Sequence, residues 1–75
     1  MKLNDEQKFV FLKTAEELNE LSAELLKAVN KNNKRNLKRI EGEISDVEQR
    51  VFALKNTILE LKKKLVYQNI SFLKM

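Results

Sequence analysis

The chain contains no cysteine, no histidine and no proline, and it has a single glycine among its 75 residues. Without cysteine or histidine it can form neither a disulfide nor a thiolate zinc site, and it has no histidine base or Ser-His-Asp arrangement. Any metal site must therefore use oxygen ligands. The near absence of proline and glycine, together with 43% hydrophobic and 35% charged residues, predicts long helices and an all-α fold.

Long apolar runs are also missing. The first residues lack the apolar segment of a signal peptide, and no stretch approaches the roughly 18 consecutive apolar residues of a membrane span. We therefore predict a cytoplasmic protein without a membrane partner. A chain of 75 residues forms one domain at most and buries only a modest core alone. We treat residues 1–75 as a single helical domain and expect it to self-associate.

The net charge of +4 is unevenly distributed along the chain. Residues 5–24 hold six acids against two lysines, whereas residues 25–40 hold six bases and no acid. An acidic segment repels the phosphates of a nucleic acid unless a cation intervenes. We therefore expect a metal-bound, phosphate-bearing small molecule as the ligand, and nucleic-acid binding is the last of the alternatives.

A first helix is predicted from about Asp5 to about Lys31. Asn4 followed by Gln7 is typical of a helix N-cap with a polar residue at the third helical position. Further along, an apolar stripe with helical spacing comprises Phe11, Leu18, Leu21, Leu25 and Ala28. Additional apolar residues widen the stripe and predict packing against several helices; they are Phe9, Leu12, Ala15, Leu26 and Val29.

The asparagine-rich segment 30–36 is the predicted turn, because asparagine tolerates left-handed backbone conformations and competes for backbone hydrogen bonds. A second helix is predicted from Leu37 to about Tyr67. Its apolar stripe alternates spacings of three and four and comprises Leu37, Ile40, Ile44, Val47, Val51, Leu54, Ile58, Leu61 and Leu65. For residues 68–75, docking on a partner and fraying are both open. The stripes predict a long antiparallel hairpin that oligomerises into a four-helix-type bundle.

Four acids stand out by their spacing within these helices. Glu17 and Glu20 are three residues apart, as are Glu43 and Asp46, so each pair projects from one face of its helix. In both helices the acids immediately precede stripe residues, which rotates them by about 100° from the stripe. When the stripes pack, the acids should flank the contact. Two facing pairs would form an all-oxygen site of the kind that Mg²⁺ or Mn²⁺ prefers.

These acids also carry a family resemblance. The sequence EELNE at residues 16–20, followed after 22 residues by EISD at 43–46, resembles the EExxE…ExxD pattern of the MazG-like superfamily of all-α nucleoside triphosphate pyrophosphohydrolases. Residues 36–48 are also similar to small, phage-type members of that superfamily. The resemblance covers roughly residues 13–55.

The resemblance implies an enzyme that uses Mg²⁺, with Mn²⁺ as the alternative, to hydrolyse an NTP or dNTP between its α- and β-phosphates. The products are a monophosphate and pyrophosphate. The catalytic set that it implies is Glu16, Glu17, Glu20, Glu43 and Asp46. Of these, the implied metal ligands are Glu17, Glu20, Glu43 and Asp46, and Glu16 is a nearby assisting acid.

Basic residues near the acids are candidates for contacts with phosphate groups. Lys13 lies one turn before the first acid pair, Arg50 lies one turn after the second, and Lys27 lies farther along the first helix. Arg50 is preferred among them, although a solvated side chain or a helical ion pair is the commoner role of such bases. Aromatic residues are predicted to pack in the core or an interface, with Phe52 as the alternative contact for a nucleobase.

Two other functions stay open. One is a protein that binds or sequesters a nucleotide without cleaving it, and the other is a structural coiled-coil adaptor with a solvated acidic face. An antiparallel coiled coil explains the apolar stripes, but not the shared phase of the acids on both helices. The expected assembly is a homodimer or homotetramer. Gly42, inside the second helix, costs about 1 kcal/mol relative to alanine, and close approach of another helix is the compensation we considered.

Overall fold

The computed structural model describes residues 2–31 and 33–73, and the side chains of these residues as far as 65. Helix α1 spans Asp5–Asn30 and helix α2 spans Lys34–Leu73. The two pack against each other as an antiparallel hairpin with dimensions of 62 × 17 × 16 Å. The predicted all-α fold is confirmed, whereas the assembly of hairpins into a bundle stays a prediction.

Helix α1 begins where the sequence predicts. The backbone N–H of Gln7 donates to Asn4 Oδ1 at 2.8 Å, and the backbone N–H of Asn4 donates to Gln7 Oε1 at 2.9 Å. This capping box satisfies two backbone amides that have no partner within the helix. Asp5 and Glu6 in the first turn and Lys27 in the last turn interact favourably with the helix dipole.

The connection between the helices is shorter than predicted. Helix α2 begins at Lys34 rather than Leu37, because Asn33 caps it. Its side-chain oxygen accepts a hydrogen bond from the backbone of Asn36 at 3.0 Å, and its carbonyl accepts one from Leu37 at 3.1 Å. The side-chain amide of Asn36 donates in turn to the carbonyl of Lys31. The asparagines that indicated a turn therefore also start the second helix.

Helix α2 continues past its predicted end at Tyr67 to Leu73. The sequence has no proline, and no glycine after residue 42, to stop it earlier. The side chains of Ile70, Phe72 and Leu73, on which the predicted docking of the last segment depends, lie outside the described residues. Within the described part of the chain, neither helix contains a stretch that is long and apolar enough to span a bilayer.

The contact between the helices is rotated away from the predicted stripes. Most of the buried and half-buried residues of α1 recur at spacings of three and four: Gln7, Val10, Thr14, Glu17, Leu21, Glu24 and Ala28. The facing residues of α2 are Asn36, Ile40, Glu43, Val47, Arg50, Leu54, Thr57 and Leu61. We call these two sets the seam. Among the described side chains Leu61, at 6% exposure, is the only buried apolar one, because polar residues fill about half of the seam.

The predicted stripes therefore contribute only part of the packing. Six of the 14 stripe residues lie in the seam, namely Leu21, Ala28, Ile40, Val47, Leu54 and Leu61, and the other eight stand beside it. Six of them are 37–50% exposed: Leu18, Leu25, Leu37, Ile44, Ile58 and Leu65. The prediction that the stripes pack directly on each other is wrong in this respect. An apolar stripe predicts which face of a helix is buried in a contact, but it does not identify the element that makes the contact.

Other apolar residues of α1 also remain uncovered in the single hairpin. Phe9, Leu12, Leu26 and Val29 are all exposed, so one chain does not provide the several packing partners that the sequence predicted. Gly42 is exposed as well, and a Cβ atom at this position would meet no atom within 4 Å. Close helix approach within the hairpin is therefore not the reason for glycine at this position.

Candidate metal and phosphate site

Three of the four acids in the two predicted pairs converge across the hairpin. Carboxylate oxygens of Glu17, Glu43 and Asp46 lie within 4.8 Å of one another. Glu17 comes from α1, and the other two come from successive turns of α2. We call these three residues the acidic cluster. The antiparallel packing thus gathers acids that are 25 residues or more apart along the chain.

Glu17 occupies the least favourable position for a negative charge. It is 9% exposed, and its removal from solvent between the helices is the main cause of a raised pKa. The carboxylates of Glu20 and then Asp46 raise this pKa further, whereas the ammonium group of Lys13 lowers it. Glu20 is itself exposed and lies outside the group of oxygens within 4.8 Å, but its negative charge raises the pKa of Glu17.

Two oxygen atoms of the cluster lack hydrogen-bond partners. Glu17 Oε2 and Glu43 Oε2 are buried and meet no donor among the described residues, and Glu24 Oε2 shares this property elsewhere in the seam. Buried polar atoms in folded proteins nearly always have a partner. A hard divalent cation would satisfy both cluster atoms at once, because carboxylate oxygens are its preferred ligands. The donor set therefore fits Mg²⁺ or Mn²⁺.

Two bases flank one end of the cluster. Lys13 Nζ lies 3.5 Å from Glu16 Oε1 and favours the ionised form of Glu17. The guanidinium carbon of Arg50 stands 5.9 Å from the centre of the Phe9 ring, within the range of a cation–π interaction. Both bases sit one helical turn beyond the acids along the sequence, toward the open end of the hairpin; Lys13 acts on the pKa of Glu17, and the Arg50 guanidinium lies beside Phe9.

The structure does not bring the other predicted site residues into the cluster. Glu16 is exposed and pairs with Lys13. Lys27 Nζ lies 3.5 Å from Glu24 Oε1, and it is about 15 Å along α1 from Glu17. Phe52, the alternative contact for a nucleobase, is 69% exposed and emerges about 200° around α2 from Arg50.

Sequence reasoning missed two features of this region. It did not identify Phe9 as the neighbour of Arg50, because a contact across two helices has no signal in local spacing. It also placed Glu17 and Glu43 beside the contact rather than in the seam. Thr14, Glu17 and Glu24 keep the three- and seven-residue spacings of a single packed row, and this periodicity was the signal that could have revealed their burial.

Two shallow depressions lie near the turn and are lined by basic and amide side chains. The first is lined by Lys34, Arg35, Lys38 and Arg39, and the second by Lys27, Asn30, Lys31 and Asn36. Neither includes a residue of the acidic cluster. Their shape offers little enclosure for a ligand, so the cluster is the better candidate for a functional site.

Comparison with protein-family models, with curated proteins and with solved structures finds no match to this chain. The resemblance to the MazG-like superfamily therefore stays a prediction that rests on its motif residues. Function has to be inferred from the chemistry of the acidic cluster and its neighbours.

Proposed function

We propose that the chain is a Mg²⁺-dependent nucleotide pyrophosphohydrolase that converts an NTP or dNTP to the monophosphate and pyrophosphate. The observation that supports this proposal is the acidic cluster of Glu17, Glu43 and Asp46, whose oxygens lie within 4.8 Å of one another. Three carboxylates this close repel one another in the absence of a cation. Such a concentration of negative charge in a helix contact is unfavourable for folding, and cation binding would offset it.

In this proposal the metal ligands are the three cluster residues and Glu20. Glu17 and Glu43 supply the buried oxygens that lack a partner among the described residues. Asp46 and Glu20 supply more exposed carboxylates that face the solvent from which a ligand would arrive. An all-carboxylate set leaves the remaining positions around a Mg²⁺ ion for water and phosphate oxygens.

When bound, Mg²⁺ would neutralise the phosphates and lower the pKa of the attacking water. The chain's own bases supply the complementary contacts. Arg50 and Lys13 lie one turn from the acids, where they donate to phosphate oxygens that face away from the cation. The aromatic ring of Phe9 restricts the position of the Arg50 guanidinium. Glu16 pairs with Lys13 and thereby orients that ammonium group.

The proposed active form is a homodimer or homotetramer in a four-helix-type bundle. A single hairpin buries one apolar side chain among those described, which is too little core for an independent domain of this size.

Turnover assays test the enzymatic part of the proposal. Incubation with each NTP and dNTP plus Mg²⁺ should release pyrophosphate, and Glu43→Gln should abolish the release because it removes a ligand charge without changing side-chain size. Glu60→Gln is the matched control, since it makes the same change at an exposed position of α2 outside the cluster. Absence of release with every nucleotide, at a level indistinguishable from Glu43→Gln, would refute hydrolysis.

Thermal unfolding separates the alternatives. A site that binds a cation only in the folded state raises the melting temperature with cation concentration, by the equivalent of about 2.7 kcal/mol at 100 times the dissociation constant. We expect Mg²⁺ and Mn²⁺ to stabilise the wild type and the Glu60→Gln control, but not Glu43→Gln. Stabilisation with nucleotide recovered intact would favour a binding protein. No stabilisation by either cation would favour the structural adaptor.

A further inference from the structure

The hairpin has two chemically different sides. On each helix the seam residues form two rows that run along the helix axis. A step of four residues from the first row, as from Val47 to Val51, rotates about 40° around the helix, away from the seam and toward one side of the hairpin. A step of three residues from the second row, as from Glu43 to Asp46, rotates about 60° in the opposite direction, toward the other side of the hairpin. Because the helices are antiparallel and share this spacing, equivalent positions of both emerge on the same side. The acids Glu20 and Asp46 therefore occupy one side, which we call the polar side.

The opposite side, which we call the apolar side, is hydrophobic along its whole length. It comprises Phe11, Leu18, Leu25, Leu37, Ile44, Val51, Ile58 and Leu65, all half-buried or exposed. None of these residues carries a charge. The α2 part alone extends over about 42 Å, from residue 37 to residue 65. Continuous apolar surface on this scale is characteristic of an interaction site rather than of a monomer's solvent face.

The solvent-accessible surface of the chain is also larger than that of a compact monomer of the same mass. It exposes 6601 Å², whereas a compact monomer of 8.8 kDa exposes about 4,800 Å². The excess of about 1,800 Å² exceeds the roughly 800 Å² that each partner buries in a standard protein interface. A stable dimer therefore has enough surface to cover.

Charges along the edge of the apolar side indicate what covers it. Four exposed residues follow one another at seven-residue spacing on α2, each four positions after an apolar-side residue: Glu41, Glu48, Lys55 and Lys62. The N-terminal half of this row is acidic and the C-terminal half is basic. A second α2 running antiparallel beside the first would place each acid opposite a partner base. The row is therefore complementary to itself under a two-fold rotation centred near Val51.

We infer that a second copy of this chain docks on the apolar side, with the two α2 helices antiparallel, while each acidic cluster faces away from the interface. The apolar residues of both copies then form one four-helix core. Each cluster is built from a single chain, so neither copy contributes acids to the other. The proposed dimer does not depend on hydrolysis. Its tests measure the mass of the assembly, the labelling rate of introduced thiols and the association of charge-reversed variants, and none of them measures turnover.

Sedimentation measures the dimer directly. The wild type should have twice the 8.8 kDa chain mass at tens of micromolar, and Ile44→Asp should shift it to the chain mass by placing a charge in the apolar core. Asn56→Asp adds the same charge on the polar side and should remain dimeric. A monomeric wild type, or equal dissociation by both variants, would overturn the inference.

Charge reversal tests the antiparallel arrangement. Glu48→Lys and Lys55→Glu should each weaken the dimer, by about tenfold, because each creates two like-charge contacts across the two-fold axis. The double variant E48K/K55E restores opposite charges and should recover wild-type association. If the double variant is as weak as the single variants, the two α2 helices do not pair in this way.

Cysteine labelling avoids any dependence on charged variants that fail to fold. Because the chain has no cysteine, Ile44→Cys and Asn56→Cys each introduce one reporter. We expect a bulky maleimide to label the residue 56 thiol freely and the residue 44 thiol slowly, with protection lost on dilution. Equal labelling rates at high concentration would contradict burial of the apolar side by a second copy.

Mn²⁺ binding by a monomeric variant tests whether each acidic cluster is built from a single chain. If the wild type gains thermal stability from Mn²⁺, monomeric Ile44→Asp should bind Mn²⁺ with an unchanged dissociation constant and one site per chain. Loss of Mn²⁺ binding in a folded, monomeric Ile44→Asp would show that the site requires the partner. A wild type that dimerises but binds no cation would instead refute the proposed function and leave the dimer intact.

Discussion

The hydroxyl of Thr14 lies 3.3 Å from the backbone oxygen of Arg50, and it donates across the hairpin from a side chain that is 2% exposed. The same hydroxyl is 2.6 Å from the backbone oxygen of Val10, so its single proton is shared between the two helices. This contact fixes α2 against α1 at the turn where Arg50 flanks the acidic cluster.

Replacing Thr14 with valine should therefore destabilise the hairpin although it preserves side-chain shape. The loss of one buried hydrogen bond amounts to about 1 kcal/mol, or about 4–8 °C in melting temperature for a domain of this size. Thr57→Val is the matched control, because it makes the same change at the other buried threonine of the seam. Equal melting temperatures for Thr14→Val and the wild type, at one chain concentration, would show that the contact contributes nothing.

The raised pKa of Glu17 predicts a specific pH dependence in the absence of metal. The pKa of the folded state lies above the ordinary value of 4.5, so the folded chain holds this proton more readily than the unfolded chain. The corresponding stability is fully present below the ordinary value, and it is lost as the pH rises through the raised pKa. At neutral pH the ionised carboxylate therefore opposes folding.

Glu17→Gln tests this dependence. In EDTA, the melting temperatures of the variant and the wild type should be similar near about pH 4 and should diverge toward about pH 7.5, with the variant more stable. Glu60→Gln should show no such divergence, since Glu60 is exposed and lies outside the cluster and outside the charged row of α2. A difference between Glu17→Gln and the wild type that is independent of pH would mean that titration of Glu17 is not its cause.

Gly42→Ala should stabilise the protein. An alanine Cβ meets nothing within 4 Å, and replacing glycine in an exposed helix interior contributes about 1 kcal/mol. The expected rise in melting temperature is about 4–8 °C. A fall instead of a rise would reveal a close approach at Gly42 that exists only in an assembly.

Arg50→Met should weaken nucleotide binding without unfolding the chain. Methionine retains an apolar contact with Phe9 but removes a charged donor, and such hydrogen bonds contribute about 1.5–3 kcal/mol, or about 10- to 100-fold in affinity. Lys27→Met is the control, because Lys27 pairs with Glu24 away from the cluster. Calorimetric titration with a nucleotide and Mg²⁺ checks the difference, and equal losses in both variants would rule out a specific role for Arg50.

Much of the fold was predictable because its signals are local. The capping box of Asn4 and Gln7 fixes the start of α1 within four neighbouring residues. The asparagine run marks the turn for the same reason, although the cap at Asn33 was not anticipated. The end of α2 was harder to predict, since no residue near Tyr67 breaks a helix.

The packing and the site were predictable only in part. The spacing of the acids predicted two facing pairs, and the structure places carboxylate oxygens of Glu17, Glu43 and Asp46 within 4.8 Å of one another, with Glu20 outside that group. It did not indicate that Glu17 and Glu43 lie within the seam, because a strongly apolar stripe next to them suggested the opposite. Which of two adjacent faces a helix presents to its neighbour depends on all the side chains that pack there, and the spacing within one helix does not contain that information.

The carboxylates at positions 17 and 43 occupy places where a coiled coil would normally have leucine or valine. The proposed cation binding therefore requires carboxylates at two positions where apolar side chains would pack better. Leucine at both would stabilise the hairpin but remove the proposed ligands. If the chain binds a cation and dimerises as proposed, its unfolded fraction depends on ion supply and chain abundance, and since cellular proteolysis acts on that fraction, the lifetime of the molecule should follow both.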